Sequence, residues 1–166
     1  TSPLISLISN FRENKNRGFN DLGIYEIGPG FNGPKPGQQI SIAAGLRTGI
    51  YKSTGTERHW QGNEKVDVFD VKSDVFSYFD LINITNDLIT HNIPGSDWYH
   101  PGRSANIVSG KGEILASFGE IHPKILSNLN IPSCVGFEIY LDKMLKFIDT
   151  QNDNKEFIFY NLQAVK

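Results

Sequence analysis

The sequence has one cysteine, Cys134, which excludes an internal disulfide, and it has no apolar run near the ~20 residues that a membrane-spanning helix needs. Nor does a secretory hydrophobic segment stand at its start. A reducing, cytoplasmic setting without a membrane is the expectation, with Cys134 as a small core residue. Charge of one sign is lacking as well: 16 Lys and Arg against 18 Asp and Glu leave a formal charge of -2. That balance argues against a domain whose main task is to grip a phosphate backbone. There is no internal repeat and no low-complexity tract. A chain of 166 residues fits one compact domain able to bury roughly 70% of the surface its unfolded form exposes.

What the sequence does have is aromatic bulk, with eleven Phe, six Tyr and two Trp. Each fully buried Phe is worth roughly 1.5–3 kcal/mol by area, so a heavy core is available without cross-links. The organising stretch runs from Tyr99 to Pro123. Pro101 pushes His100 toward an extended conformation and Gly102 accepts positive φ, so His100-Pro101-Gly102 reads as a sharp entry into a strand beginning near Ser104. Gly110-Lys111-Gly112 is a hairpin turn between apolar strands that end at Glu120. His122-Pro123 then opens a short helix to about Asn130.

Around that hairpin the chain alternates helices and strands. Ser2-Pro3 caps a helix whose Leu4, Ile5, Leu7, Ile8 and Phe11 recur at helical spacing. Asp21 to Gly28 reads as a strand broken by Gly28-Pro29-Gly30, with Glu26 as a candidate buried carboxylate. A Pro- and Gly-rich loop joins it to a second strand over 38–45. From Leu46 to Lys65 the periodicity fails, which predicts a long loop of the kind that binds partners. Asp67 or Glu64 starts a helix with Val68, Val71, Val75, Phe76, Phe79 and Ile82 on one stripe. A strand over 87–93 follows, then the hairpin, a strand over 135–141, and a helix capped by Asp142 through Ile148 with Leu145 inward. Asp149 to Lys155 reads as a polar linker and Glu156 to Lys166 as a connecting strand. Hairpin-joined strands with helices between groups of them describe an α+β domain, an antiparallel sheet flanked by helices.

Several side chains invite functional readings. His100, Glu120 and His122, with Arg103 nearby, carry groups that ligate zinc or move protons near neutrality, so an autonomous hydrolase is one alternative. No metal-ligand spacing such as His-x-x-x-His accompanies them. The plainer expectation is structural, with the histidines at proline corners bonding backbone carbonyls and Arg103 pairing with Glu120 or Glu138 beneath the sheet. Lys52, Arg58, His59 and Lys65, with Trp60 among them, form a basic and aromatic group suited to RNA phosphates or to a protein partner. Arg12, Lys15 and Arg17 make a second basic group.

The ordered segments Asp21-Leu22-Gly23-Ile24-Tyr25-Glu26-Ile27-Gly28, Val66 to Lys72, His100-Pro101-Gly102-Arg103-Ser104-Ala105, Phe118-Gly119-Glu120-Ile121-His122-Pro123 and Phe137-Glu138-Ile139 together resemble the beta subunit of bacterial phenylalanyl-tRNA synthetase. The likeness covers about Leu4 to Leu145 and falls on the C-terminal part of that subunit's catalytic-like module. It implies a fold like a class II aminoacyl-tRNA synthetase over 1–149, truncated at its N-terminal side, and a linker over 150–166 toward an anticodon-binding domain. It also implies a subunit that does not form the adenylate itself. The implied partners are the catalytic alpha subunit and tRNA(Phe) in a heterotetramer, where the intact complex uses ATP and Mg and this segment holds no cofactor. His100, Pro101, Gly102, Arg103, Glu120, His122, Pro123 and Glu138 become structural motif residues in that reading.

Class II synthetases hold anionic groups with an arginine in a Phe-Arg-x-Glu motif and another after a glycine-rich strand, because phosphates need fixed guanidinium forks. Here Phe11-Arg12-Glu13-Asn14 places its glutamate one position early, in a segment that reads as helix, and no arginine follows Val135-Gly136-Phe137-Glu138. Loss of the catalytic site is the expectation.

Overall fold

The computed structural model describes residues 2–31, 33, 38–50, 65–84, 89–92 and 95–153. Among the described residues four helices flank one six-stranded sheet: α1 (Pro3–Asn16), β1 (Leu22–Phe31), β2 (Gln39–Thr48), α2 (Val68–Leu81), β3 (Ile89–Asn92), β4 (Tyr99–Ser109), β5 (Ile114–Ile121), α3 (Pro123–Leu129), β6 (Cys134–Tyr140) and α4 (Leu141–Asp153). The strands lie in the order β1-β2-β6-β5-β4-β3 and every neighbouring pair is antiparallel. The expected antiparallel α+β class is therefore the observed one.

Alternation of side chains across the strands gives the sheet two different faces. On one, Val71, Val75 and Phe79 of α2 and Met144 and Phe147 of α4 cover Ile107, Leu115, Ala116, Val135 and Ile139. The other packs Leu4, Leu7, Ile8 and Phe11 of α1 and Leu126 of α3 against Ile42, Leu46, Tyr99 and Ile121. α1 comes close because Gly136 has no side chain: a Cβ there would lie 3.1 Å from Leu4 Cδ1 and 3.0 Å from the Gly45 carbonyl oxygen. α2 begins on a full capping box, with the Asp67 carboxylate accepting from Phe69 N–H at 2.7 Å and Asp70 accepting from Asp67 N–H at 2.7 Å.

The structure departs from the sequence reading at the ends of elements. β1 runs through Gly28-Pro29-Gly30 to Phe31, because it is an edge strand and a proline there costs no ladder bond on its outer side. Glu26 is only partly covered, while the buried carboxylate belongs to Glu138. His100-Pro101-Gly102 lies inside β4 rather than before it: Tyr99 pairs with Ile121, the register shifts, and pairing resumes at Ser104 opposite Gly119. β2 extends through Leu46, Arg47 and Thr48, so the loop expected from Leu46 starts later. Ile50 and Lys65 then form an isolated bridge, and residues 51–64, with Lys52, Arg58, His59 and Trp60, lie outside the described residues. α4 continues past Ile148 to Asp153, into the stretch expected to be a linker, and it turns Met144 and Phe147 inward while Leu145 stays 62% exposed. Asp142 accepts from Ser41 N–H at 2.7 Å, tying the start of α4 to β2. The strand expected over 156–166 lies outside the described residues.

Candidate functional site

The register aligns Asn106, Ser117, Glu138, Ala44 and Glu26 across four inter-strand pairings, so these five share the face under α1. Glu138, at the centre of that row, is fully buried. Ser2 Oγ donates to Glu138 Oε1, Trp98 Nε1–H donates to Oε2 at 2.8 Å, and Tyr99 O–H donates to Oε2 at 3.5 Å. Ser2 also caps α1, its Oγ accepting from Leu4 N–H at 3.1 Å. One carboxylate thus ties the first turn of α1 and the turn before β4 to the middle of β6. Burial pushes the Glu138 pKa up, and the hydroxyl and indole donors pull against it. Beside it Ser96 and Ser117 hydroxyls lie 3.0 Å apart, and Ser117 O–H donates to the Asn106 side-chain oxygen. The Tyr140 hydroxyl is likewise held against ionisation, first by burial and then by the nearby Glu138 charge.

The histidines do different work from that expected. His100 Nδ1 accepts from Gly102 N–H at 3.0 Å, and His122 Nδ1 accepts from Lys124 N–H at 3.1 Å as the N-cap of α3. Each ring therefore takes a backbone N–H rather than giving its own proton to a carbonyl, because a proline next in sequence leaves a tight turn whose following N–H groups lack partners. Pro101 and Pro123 supply those turns, and Pro123 is the first residue of α3.

Arg103 Nε–H donates to Glu120 Oε2, and Ser133 O–H donates to Glu120 Oε1 at 3.2 Å. Of the two partners weighed for Arg103, the structure gives Glu120. This pair is not beneath the sheet: the Arg103 side chain is 53% exposed. Arg103→Ala is therefore expected to cost under about 1 kcal/mol in urea unfolding, far less than a buried pair would. An ion pair the sequence reading missed joins Arg47 of β2 to Asp74 of α2 through two bonds of 2.6 Å each. It was hidden because Arg47 stands where the hydrophobic period has already lapsed.

Cys134 is buried in the α1 face, and its thiol pKa is raised to about 12 by burial first and the nearby Glu120 charge second. Its thiol is expected to react with a disulfide reagent at pH 8 only after denaturant is added, since the thiolate is the nucleophile. Prompt reaction in the folded protein would contradict this placement. Of the basic groups, Arg12 is exposed on α1 and Arg17 is exposed at its C-cap, Lys15 reaches the Asn130 carbonyl at 3.3 Å, and Lys65 is exposed. Phe11, which precedes Arg12, is wholly inside the core, so the Phe-Arg pair is a helix face rather than a phosphate-binding strand. Among the described residues no group of three or more His, Cys, Asp or Glu is placed to hold a metal ion, and no helix is long and apolar enough to cross a membrane.

Residues 1–141 match the family model of the phenylalanyl tRNA synthetase beta chain CLM domain. The chain is 39% identical over 145 residues to the phenylalanine–tRNA ligase beta subunit of Paramagnetospirillum magneticum and 39% identical over 145 residues to that of Rhodospirillum rubrum. Each alignment covers 86% of this chain and 18% of the relative, so the chain spans about a fifth of the curated proteins it matches. Among solved structures it resembles the pyrrolysyl-tRNA synthetase of Desulfitobacterium hafniense with a TM-score of 0.61 at 15% identity, over 90% of this chain and 49% of the other. That likeness is one of fold.

Proposed function

We propose, from the premise that this chain belongs to the phenylalanyl-tRNA synthetase beta chain CLM domain family, that it is a non-catalytic assembly module. On this reading it is a domain that helps a phenylalanine–tRNA ligase beta subunit hold the catalytic alpha subunit, while ATP and Mg are used and phenylalanine is joined to tRNA(Phe) elsewhere in the complex. The observation that carries the reading is how the chemistry-bearing side chains are occupied. Glu138 is taken by three donors from α1 and the 98–99 turn, and His100 and His122 each close a backbone turn. Glu120 is taken by Arg103 and Ser133. None of these groups is left as a free base or nucleophile, which supports structural roles for His100, Pro101, Gly102, Arg103, Glu120, His122, Pro123 and Glu138 over a hydrolase.

The segment 51–64 and Lys65 are where we place contact with the alpha subunit, and residues after about 149 are read as leading toward an anticodon-binding domain. The test is co-expression of the chain with a cognate alpha subunit followed by size-exclusion chromatography. Co-elution that charge reversal at Lys52, Arg58 and Lys65 abolishes is the expected result. Separate elution of the two chains would contradict it.

A further inference from the structure

β1 ends the sheet, and among the described residues no strand pairs with its outer side. Which of its backbone groups face outward follows from its partner strand. Ser41 of β2 lies opposite Pro29, yet its N–H is given to the Asp142 carboxylate at 2.7 Å rather than to β1. Ser41 and Pro29 are thus opposed without mutual bonds, and Pro29 turns its nitrogen and carbonyl away from β2. The register between β1 and β2 is unbroken, so alternation turns the N–H and C=O groups of Gly23, Tyr25 and Ile27 outward too.

The side chains at this edge are apolar and uncovered. Tyr25 aligns with Gly45 and Phe137 across the sheet, which puts Tyr25 and Ile27 on the face of α2 and α4. Those helices pack over β2, β5 and β6, leaving Tyr25 78% exposed and Ile27 65% exposed. An apolar edge is a template for strand pairing unless charge, proline or a covering segment blunts it. β1 has no Lys or Arg, its one proline stands beyond Ile27, and its one charge, Glu26, belongs to the α1 face.

We propose that a second copy of this chain covers the edge, the two β1 strands running antiparallel about a two-fold axis at Tyr25. Gly23 then lies opposite Ile27 of the second copy and Tyr25 opposite Tyr25, so every outward N–H and C=O of these three residues finds a partner. The neighbouring registers do worse. An axis at Glu26 sets two carboxylates face to face and leaves the Gly23 carbonyl opposite a proline that has no N–H. An axis at Ile27 brings Pro29 opposite Tyr25 and loses a bond from each strand, and one at Ile24 leaves Ile27 opposite Asp21, outside the strand. Side chains favour the same choice. A Cβ at Gly23 would meet nothing within 4 Å, and Gly23 lines a cleft of about 460 Å3 that reaches Phe137 and α2, so Ile27 of the second copy has room over it. Tyr25 meets its own copy as an aromatic cross-strand pair, and Glu26 lies opposite Ile24. This surface is separate from the one given to the alpha subunit, so the proposal does not depend on the assembly reading.

One strand pair buries less than the roughly 1,200 Å2 of a standard interface, so a Kd on the order of 10–100 μM is expected. Sedimentation velocity of the chain from about 1 to about 500 μM should show the monomer passing to a dimer. Tyr25→Lys sets two ammonium groups opposite each other and should weaken the dimer at least about tenfold. Leu145→Lys, at an exposed apolar position on α4, should leave its Kd within about twofold, with circular dichroism confirming that both variants fold. Mild oxidation reads the register. Tyr25→Cys should link to its own copy, since residues opposite in a bonded pair have Cα atoms about 5.5 Å apart, within disulfide reach. Ile27→Cys should not, because its two copies stand roughly 13 Å apart along the strands. A monomer at every concentration would overturn the proposal and leave the edge to a strand from a different protein. A dimer that survives Tyr25→Lys or is lost in Leu145→Lys would overturn it as well, as would self-linking of Ile27→Cys in place of Tyr25→Cys.

Discussion

Glu138→Ala is expected to lose about 3–5 kcal/mol of stability, because it leaves the buried Tyr99 hydroxyl and the part-buried Ser2 and Trp98 donors without their acceptor at about 1–3 kcal/mol each and admits water that recovers only part of the loss. The hydroxyls of Ser2 and Tyr99 can rotate toward other acceptors, but the Trp98 indole N–H cannot. Glu138→Gln should cost less, about 1–2 kcal/mol, since a carbonyl oxygen can still face Trp98 while the amide donates to the Ser2 oxygen. Urea unfolding followed by indole emission reads both values. A loss in Glu138→Ala no larger than that of Arg103→Ala would contradict the central role given to this carboxylate.

The same residue sets a pH dependence whose sign follows from burial. Its pKa in the folded protein is raised, so from about 4.5 up to that raised value the folded state holds more proton than the unfolded one. Stability contributed by this group therefore falls as pH rises through that window. Glu138→Gln should lack this component, and an unchanged pH profile in the variant would count against it.

The second large effect is expected at Phe11. Its ring is completely buried among Leu4, Leu7, Ile8 and the α1 face of the sheet, and Phe11→Ala should cost about 3–5 kcal/mol through lost burial and the cavity left behind. Arg12→Ala, one residue on and exposed, should change stability by under about 0.5 kcal/mol. The contrast separates two readings of the same dipeptide. If Phe11-Arg12 were a phosphate-binding motif, Arg12 would be the residue whose loss removed an activity. On the present account Phe11 carries the consequence, through folding.

How far the sequence discloses this molecule depends on whether a feature is local. The stripe Val71, Val75 and Phe79, the Ser2 and Asp67 caps, the Gly-Lys-Gly turn and the Pro123 helix start are each written within one or two turns of chain, and the structure has them as read. Element ends were less legible. Pro29 marks a break only in an interior strand, and nothing local says that β1 is an edge. Nothing local says which side of α4 meets the sheet, so Leu145 reads as inward, whereas Met144 and Phe147 fix the opposite side as the buried one.

The candidate site was the least legible part. Glu138 is visible as a motif residue, but its partners Ser2 and Trp98 stand 136 and 40 residues away, and the pairing of β4 with β5 and β5 with β6, together with the packing of α1 on the sheet, brings them together. The alternation of apolar residues around Glu26 and around Glu138 is similar in sequence. What separates them is that β1 is an edge and β6 is central, so one carboxylate is partly covered and the other fully buried. A signal was present in Trp98-Tyr99, two aromatic residues with polar tips placed just before the hairpin, since buried Trp and Tyr seek acceptors.

The most direct test of the account is phenylalanine-dependent ATP–pyrophosphate exchange measured on this chain alone and on its complex with the catalytic alpha subunit. The account predicts background exchange from the chain alone at every concentration, and exchange in the complex that survives His122→Ala once folding is confirmed. Exchange by the chain alone, rising with its concentration and lost in a folded His122→Ala variant, would contradict the claim that these side chains are committed to structure.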